Sequence, residues 1–230
     1  MSKVILISHT PDPERVIASA AKLCYSNKTV EEIMDDQSSE SVSSFIKKLM
    51  DLGHESPLEH ISFTFGIEGI SRATSHQLVR HRIASYSQKS QRYVSEKEFS
   101  YVIPSKIAKN SDALKIYQNL MRIIQEHYDQ LVEGFNIPKE DARYVLPNAT
   151  ETSIIVTMNA RSLLNFFAHR CCLRAQWEIR DVANKMLDLV KEVAPTIFLN
   201  AGANCKQLSY CPEATMSCGL YPTLKNIINK

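Results

Sequence analysis

The sequence predicts an α+β fold in which helices predominate and a small, mainly antiparallel sheet completes a single domain. Three observations carry that prediction. Residues 61–68, ISFTFGIE, alternate strictly between apolar and polar positions, the period-two signature of a strand with one buried face. From Ser111 the residues Leu114, Tyr117, Met121, Ile124, Tyr128 and Leu131 return at spacings of three and four, which marks a long helix. The run ARSLLNFFAHRCCLRAQWEIRDVANKMLDLVKEVAP, from Ala160, reads as helical for most of its length, with a break near residue 173. No internal repeat and no long low-complexity linker divides the chain, so one domain spanning residues 1–230 is expected.

The elements follow in order. The N-terminus, MSKVILISHTPDPER, holds a short apolar run broken by His9 and Pro11, without the longer apolar core and small-residue cleavage site of a secretory leader. No apolar stretch approaches the roughly 20 residues of a membrane helix, so a soluble, cytoplasmic protein is expected. A first helix begins near Pro13 and carries Val16, Ile17, Ala20 and Leu23. DDQSSESVSS (35–44) is a loop entering a second helix, which presents Phe45, Ile46, Leu49 and Met50 and stops at Gly53. After the strand at 61–68, Gly69 is expected to turn the chain, and Ser71 to cap a helix through RATSHQLV. That helix runs out into a loop at RHRIASYSQKSQRY (80–93), and FSYVIP, up to Pro104, is expected as a second strand. The seam of the long helix suits packing against another helix, within the subunit or across an oligomer interface, and Gly134 ends it. Pro138 starts a short helix through Ala142 and Arg143, and TSIIVTMN (152–159) is the third strand.

Composition excludes several classes of function. The 27 basic and 25 acidic side chains nearly cancel, so any anion site must come from local clustering. None of the six glycines forms GxGxxG or GxxxxGK[ST], which argues against a Rossmann dinucleotide fold or a P-loop. GHESPLEH (53–60) gathers His54, Glu55, Glu59 and His60 but contains neither HExxH nor HxxEH, and no GxSxG supplies a nucleophile elbow. No metal site is therefore expected among the catalytic residues. Of the six cysteines, Cys205, Cys211 and Cys218 lie near the end at spacings that match no CxxC knuckle. Free thiols, redox chemistry and metal binding all remain open for them.

The strongest local cluster is the stretch from 80 to 93. Arg80, His81, Arg82, Lys89 and Arg92 can neutralise a phosphate, arginine by a bidentate fork, and Ser85, Ser87 and Ser90 add neutral donors. A solvated cationic loop accounts for the same composition. Arg161, Asn165 and His169 stand four apart and share one helix face, again either a polar stripe with a task or a solvated outer face. A nucleic-acid or polyphosphate binding module using loop 80–92 is the alternative to an enzyme. The balanced charge and the lack of a continuous basic stripe count against it.

Arg80, His81 and Arg82, followed after seven residues by Ser90, resemble the RHR-x7-S motif of the flavin-dependent thymidylate synthases. GHESPLEHISFTF upstream, ARYVLP at 142–147, NARSLLNF at 159–166, AQWEIR and the N-terminal LISHTPDPERVIASAAKLCYS resemble further family segments in the family's order. The resemblance covers roughly residues 4–200 and leaves the cysteine-containing tail, 201–230, outside the best-matched segments. It implies a methyltransferase of dTMP biosynthesis that converts dUMP to dTMP with methylenetetrahydrofolate as one-carbon donor and FAD reduced by NADPH. It also implies a homotetramer with active sites at subunit contacts, and no nucleic-acid or membrane partner.

Carried over by position, the resemblance places Gln77, Arg80, Ser90, Arg92, Arg143 and Arg170 at dUMP, with Arg170 as the catalytic cation near the base. It places Ser56, Arg80, His81, Arg82, Asn159, Arg161 and Asn165 at FAD, with His54 near the flavin ring. Gln88, where some members carry glutamate, is assigned to both ligands, and Arg174, where some have histidine, has no assigned role. For Ser90 a binding role through its hydroxyl is favoured over nucleophilic attack, because no base in the sequence is placed to activate it.

Overall fold

The computed structural model describes residues 2–35 and 38–228. Asp36 and Gln37 of the expected loop, and the last two residues of the tail, lie outside them. Four strands form one antiparallel sheet in a helix-rich chain. They are β1 (Lys3–His9), β2 (Ser62–Ser71), β3 (Ser85–Gln88) and β4 (Glu151–Asn159), in the order β1–β2–β4–β3. The principal helices are α1 (Pro13–Leu23), α2 (Ser39–Asp51), α3 (Arg72–Leu78), α4 (Ser111–Asp129), α5 (Ala160–Arg170) and α6 (Trp177–Val193). Among the described residues no helix is long and apolar enough to cross a membrane.

The contacts divide the chain into two compact units. The first comprises Met1–Lys3, Ile67–Arg80 and Tyr86–Ile155. Its apolar core gathers Ile67, Ile70, Leu78, Phe99, Met121, Tyr128 and Ile154. Tyr128 is fully buried, and its hydroxyl accepts from the Glu96 N–H at 3.4 Å. Gln125, one turn earlier on α4, accepts from the Phe99 N–H at 2.7 Å and donates to the Glu96 carbonyl at 3.2 Å. Arg72 reaches the Lys89 carbonyl at 3.0 Å. Segment 89–99 is thus held to α3 and α4 by side chains rather than by a strand ladder.

The second unit comprises Val4–Gly66, His81–Ser85 and Val156–Lys230. Phe63, Phe166, Phe167 and Phe198 are fully buried in it and meet edge to face or tilted, a preferred geometry for aromatic quadrupoles. Helix α2 starts at Ser38, whose hydroxyl accepts from the Ser41 N–H, and buries Val42, Ile46 and Leu49. Gly53 follows its last turn and donates to Met50, as the sequence predicts. The expected break near residue 173 falls between α5 and α6, where the Gln176 side chain accepts from the N–H groups of Glu178 and Ile179 and starts α6 afresh.

The structure corrects four expectations. Gly69 does not turn the chain: it lies inside β2 with φ +68°, a left-handed kink that glycine adopts without a Cβ penalty. FSYVIP is no strand. Only Tyr101 bridges to Thr150, with the Val102 N–H donating to the Ala149 carbonyl at 2.9 Å and the Glu151 N–H to the Ser100 carbonyl at 2.8 Å, while the Phe99 N–H donates to Gln125. The strand next to β4 is instead Ser85–Gln88, in the stretch read as a loop, with the Lys89 N–H donating to the Ser153 carbonyl at 2.9 Å. Its inward Tyr86 donates to the Leu78 carbonyl at 2.9 Å, and burial pushes the phenol up to about 12. The N-terminal apolar run forms β1, and the buried face of α1 is Ile17, Ala18 and Ala21, leaving Leu23 exposed.

Candidate active site

In the first unit the residues expected at a nucleotide form two groups. Arg92 and Arg143 meet at Glu140. Its Oε2 accepts from Arg92 Nε at 3.0 Å and lies 2.9 Å from Arg92 Nη2, while Arg143 Nε donates to its backbone carbonyl at 3.0 Å. The short helix Lys139–Ala142, followed by a tighter turn through Val145, sets this spacing. The hydrogen bond to Glu140 raises the Arg92 pKa further, so that side chain is cationic at every working pH. Ser90 accepts from the Arg92 N–H at 3.2 Å, which folds the segment so that both residues belong to one turn. The second group surrounds α3. Its N-terminus is capped by Ser71, which accepts from the Thr74 N–H at 3.1 Å, and Gln77 and Arg80 stand at its other end. Gln88 on β3 donates to Ser75 at 2.8 Å and lies 3.4 Å from the Thr152 hydroxyl, so its amide is aimed by two buried alcohols.

In the second unit the short helix Ser56–His60 packs against α5. Arg161, at the start of α5, donates to Glu55 Oε2 at 3.2 Å and to Glu59 Oε1 at 2.5 Å, with all three side chains about half exposed. Asn159 caps α5: its Oδ1 accepts from the Ser162 N–H at 2.8 Å. Arg161, Asn165 and His169 do share an exposed face, and His169 Nδ1 donates to the Asn165 carbonyl at 2.8 Å. His54, Ser56 and Arg82 are exposed.

The most specific pair is His81 with Arg170. Arg170 Nε donates to His81 Nε2 at 3.0 Å, and the imidazole stands edge-on to Phe166 at 4.9 Å between centroids. Burial, then the Arg170 charge and His169, lower the His81 pKa to about 4. The ring is therefore neutral and carries its proton on Nδ1, since Nε2 is the acceptor. A neutral ring can accept from the Arg170 Nε–H, as a protonated one could not.

Sequence reasoning missed the acidic partners. Glu140 lies 48 residues from Arg92, and Glu55 and Glu59 lie more than 100 from Arg161, so no local pattern announces either pairing. Arg174 is now placed: its Nη1 donates to the Met216 carbonyl at 2.7 Å.

A family model described as thymidylate synthase complementing protein matches residues 5–196. The chain belongs to that family. The flavin-dependent thymidylate synthase of Clostridium tetani is 53% identical, with 98% of this chain and 96% of the relative covered. That of Geobacter sulfurreducens is 52% identical, covering 99% and 98%. The enzyme of that name from Pyrococcus horikoshii is 46% identical, covering 93% and 90%. The family therefore spans both units, and its motif residues Arg80, His81, Arg82 and Ser90 are all present.

The donor set fits a flavin dinucleotide. Arg82 and Arg161 are cations for a diphosphate, Ser56 and Asn159 are neutral donors, and the neutral imidazole of His81 is suited to an uncharged ring. The carboxylates on Arg161 and Arg92 stand where anionic oxygens of a ligand are well received.

Proposed function

We propose that the chain makes dTMP by reductive methylation of dUMP, with methylenetetrahydrofolate giving the carbon. When bound, FAD reduced by NADPH supplies the hydride. The observation that carries this reading is the intact RHR-x7-S motif in a chain that matches flavin-dependent thymidylate synthases over nearly its whole length.

Arg92 and Arg143 hold the nucleotide phosphate, which takes the place of the Glu140 carboxylate on the Arg92 fork. Gln77, Arg80 and Gln88 orient the nucleotide, Gln88 through an amide already fixed by Ser75 and Thr152. Ser90 binds through its hydroxyl. It accepts from the Arg92 N–H, and among the described residues no base is bonded to it that would make it a nucleophile. Arg170 stabilises the anionic form of the uracil ring as electron density moves toward C5, and the neutral His81 ring helps orient the guanidinium by accepting from its Nε–H. His54, Ser56, Arg80, His81, Arg82, Gln88, Asn159, Arg161 and Asn165 hold the flavin.

The whole chain works as one domain of a homotetramer with active sites at subunit contacts. The large apolar side chains exposed at Ile83, Tyr93, Ile116 and Tyr144 favour such an assembly, because each is at least 72% exposed in the single chain. The visible spectrum of the purified protein tests the reading. A bound or added FAD chromophore that bleaches with NADPH, and dTMP formed once dUMP and methylenetetrahydrofolate are present, are the expected results. A colourless protein that takes up no added FAD would overturn it.

A further inference from the structure

We propose that Glu96 is a positioning residue for the nucleotide: with Lys89 it clasps the loop between them, which carries Ser90 and Arg92, and sets those two groups before a ligand arrives. This role rests on the reading of Ser90 and Arg92 as dUMP contacts, and every residue involved belongs to the first unit. Glu96 and Glu178 are the only acidic side chains buried among the described residues, and Glu96 is 4% exposed. Its Oε1 accepts no hydrogen bond from a described residue, and Lys89 Nζ stands 3.8 Å away. A carboxylate taken out of water is costly unless charges or hydrogen bonds compensate it. Here the compensation is the ammonium, joined by the guanidinium of Arg72, whose charge also acts on Glu96. The backbone of residue 96 does not need the carboxylate. Its N–H donates to the Tyr128 hydroxyl at 3.4 Å and its carbonyl accepts from Gln125 at 3.2 Å, bonds open to any residue but proline. The acid is therefore explained by what its side chain pairs with.

That partner stands at the other end of a loop. Residues 90–95 separate Lys89 from Glu96, and none of these six side chains is buried, so no apolar core fixes their shape. Two bonds order the loop from within: the Val94 N–H donates to the Ser90 carbonyl at 3.1 Å, and the Arg92 N–H to the Ser90 hydroxyl at 3.2 Å. At its start Lys89 is fixed on both sides. Its N–H donates to the Ser153 carbonyl of β4 at 2.9 Å, and its own carbonyl accepts from Arg72 at 3.0 Å. At its end the bond to Tyr128 lies beyond the usual N–H···O range. The Lys89–Glu96 pair ties this looser end to the fixed one. Closing the loop in advance removes conformers that the nucleotide would otherwise have to order, which tightens binding without a contact to the ligand. Glu96 thus acts opposite to Glu140, which occupies the Arg92 fork and competes with a phosphate.

The test is steady-state kinetics of the flavin-loaded, full-length enzyme at saturating methylenetetrahydrofolate and NADPH, for Glu96→Gln, Lys89→Met and the double variant. Glu96→Gln should raise the KM for dUMP roughly three- to ten-fold with kcat within about two-fold of wild type, because fewer loops stand ready to bind. Lys89→Met should raise it by a similar factor. The double variant should be no worse than the worse single one, since both changes remove the same pair. Amide hydrogen exchange of the ligand-free protein separates the clasp from a direct contact of Lys89 with phosphate. Exchange across 90–95 should quicken roughly three-fold or more in either single variant, and a Lys89→Met protein whose free loop exchanges as in wild type would overturn the proposal. Should Glu96→Gln fail to fold, Lys89→Met, altered at a side chain 40% exposed, carries both measurements. An unchanged or lowered KM in Glu96→Gln, or additive effects in the double variant, would also overturn it. A wild type that takes up no FAD and forms no dTMP would overturn the dUMP reading and this role together, whereas an active wild type with an indifferent Glu96→Gln overturns the role alone.

Discussion

Lowering the pH from 7 to 5 charges a histidine in the unfolded chain but leaves His81 neutral in the folded one. Its folded pKa of about 4 lies below the ordinary 6.5, first through burial and then through Arg170 at 3.0 Å. The unfolded state therefore takes up the proton first, and stability is lost as pH falls through the window from 6.5 to 4. Above about pH 7 neither state is protonated, and below about pH 4 both are. With those two values the linkage relation gives a loss of about 2 kcal/mol between pH 7 and 5. The ring is partly solvated, and screening reduces this to about 1 kcal/mol. The measurement is the urea midpoint at both pH values for the wild type and His81→Gln, whose amide oxygen still accepts from Arg170 but does not titrate. The wild type should lose about 1 kcal/mol more than the variant on going to pH 5. Equal losses, or an imidazole that titrates near 6.5 by NMR, would refute the neutral, cation-facing His81.

Three further outcomes are expected. Arg170→Ala should lose most turnover while Ser90→Ala keeps a measurable rate, and a completely inactive Ser90→Ala that still binds FAD and dUMP would refute a role for the hydroxyl in binding alone. Glu140→Gln should lower the KM for dUMP by roughly two- to five-fold with kcat unchanged, because an exposed ion pair competes only weakly for Arg92, and an unchanged or raised KM would remove the phosphate from that fork. Asn159→Ala should cost about 1 kcal/mol of unfolding free energy through the lost cap, and Asn159→Ser should restore most of it, as read from denaturation midpoints.

Much of the frame is legible in the sequence wherever one interaction dominates. Strands β2 and β4 and helix α4 declare themselves because a single buried face imposes a period, and Ser71 and Gly53 declare α3 and α2 because caps are local. Strand β3 does not, because its inward residues are Tyr86 and Gln88, which satisfy themselves by hydrogen bonds that leave no apolar alternation. FSYVIP carries the right side chains for a strand, yet its pairing stops at the single Tyr101–Thr150 bridge, and its Phe99 N–H is taken by Gln125, a partner 26 residues along the chain that no local pattern announces. The basic stretch from 80 to 93 and the polar face of α5 were visible as charge, but not their counter-charges. Whether Arg92 and Arg161 are solvated or held depends on Glu140, Glu55 and Glu59, which only the fold brings to them.

The cap at Asn159 has a consequence for selectivity. An asparagine side chain can ordinarily rotate to offer either its oxygen or its nitrogen, and so tolerates donors and acceptors alike. Here the oxygen is committed to the Ser162 N–H, and reversing the amide would set two donors against each other and unpick the first turn of α5. The cap therefore fixes which way the amide faces, its NH2 group standing on the side away from the Ser162 N–H and its oxygen keeping one lone pair. In the proposed flavin site the helix start thus decides where each end of the amide is presented, so that a ligand oxygen is received at the NH2 end and a ligand donor only at the spare lone pair of Oδ1.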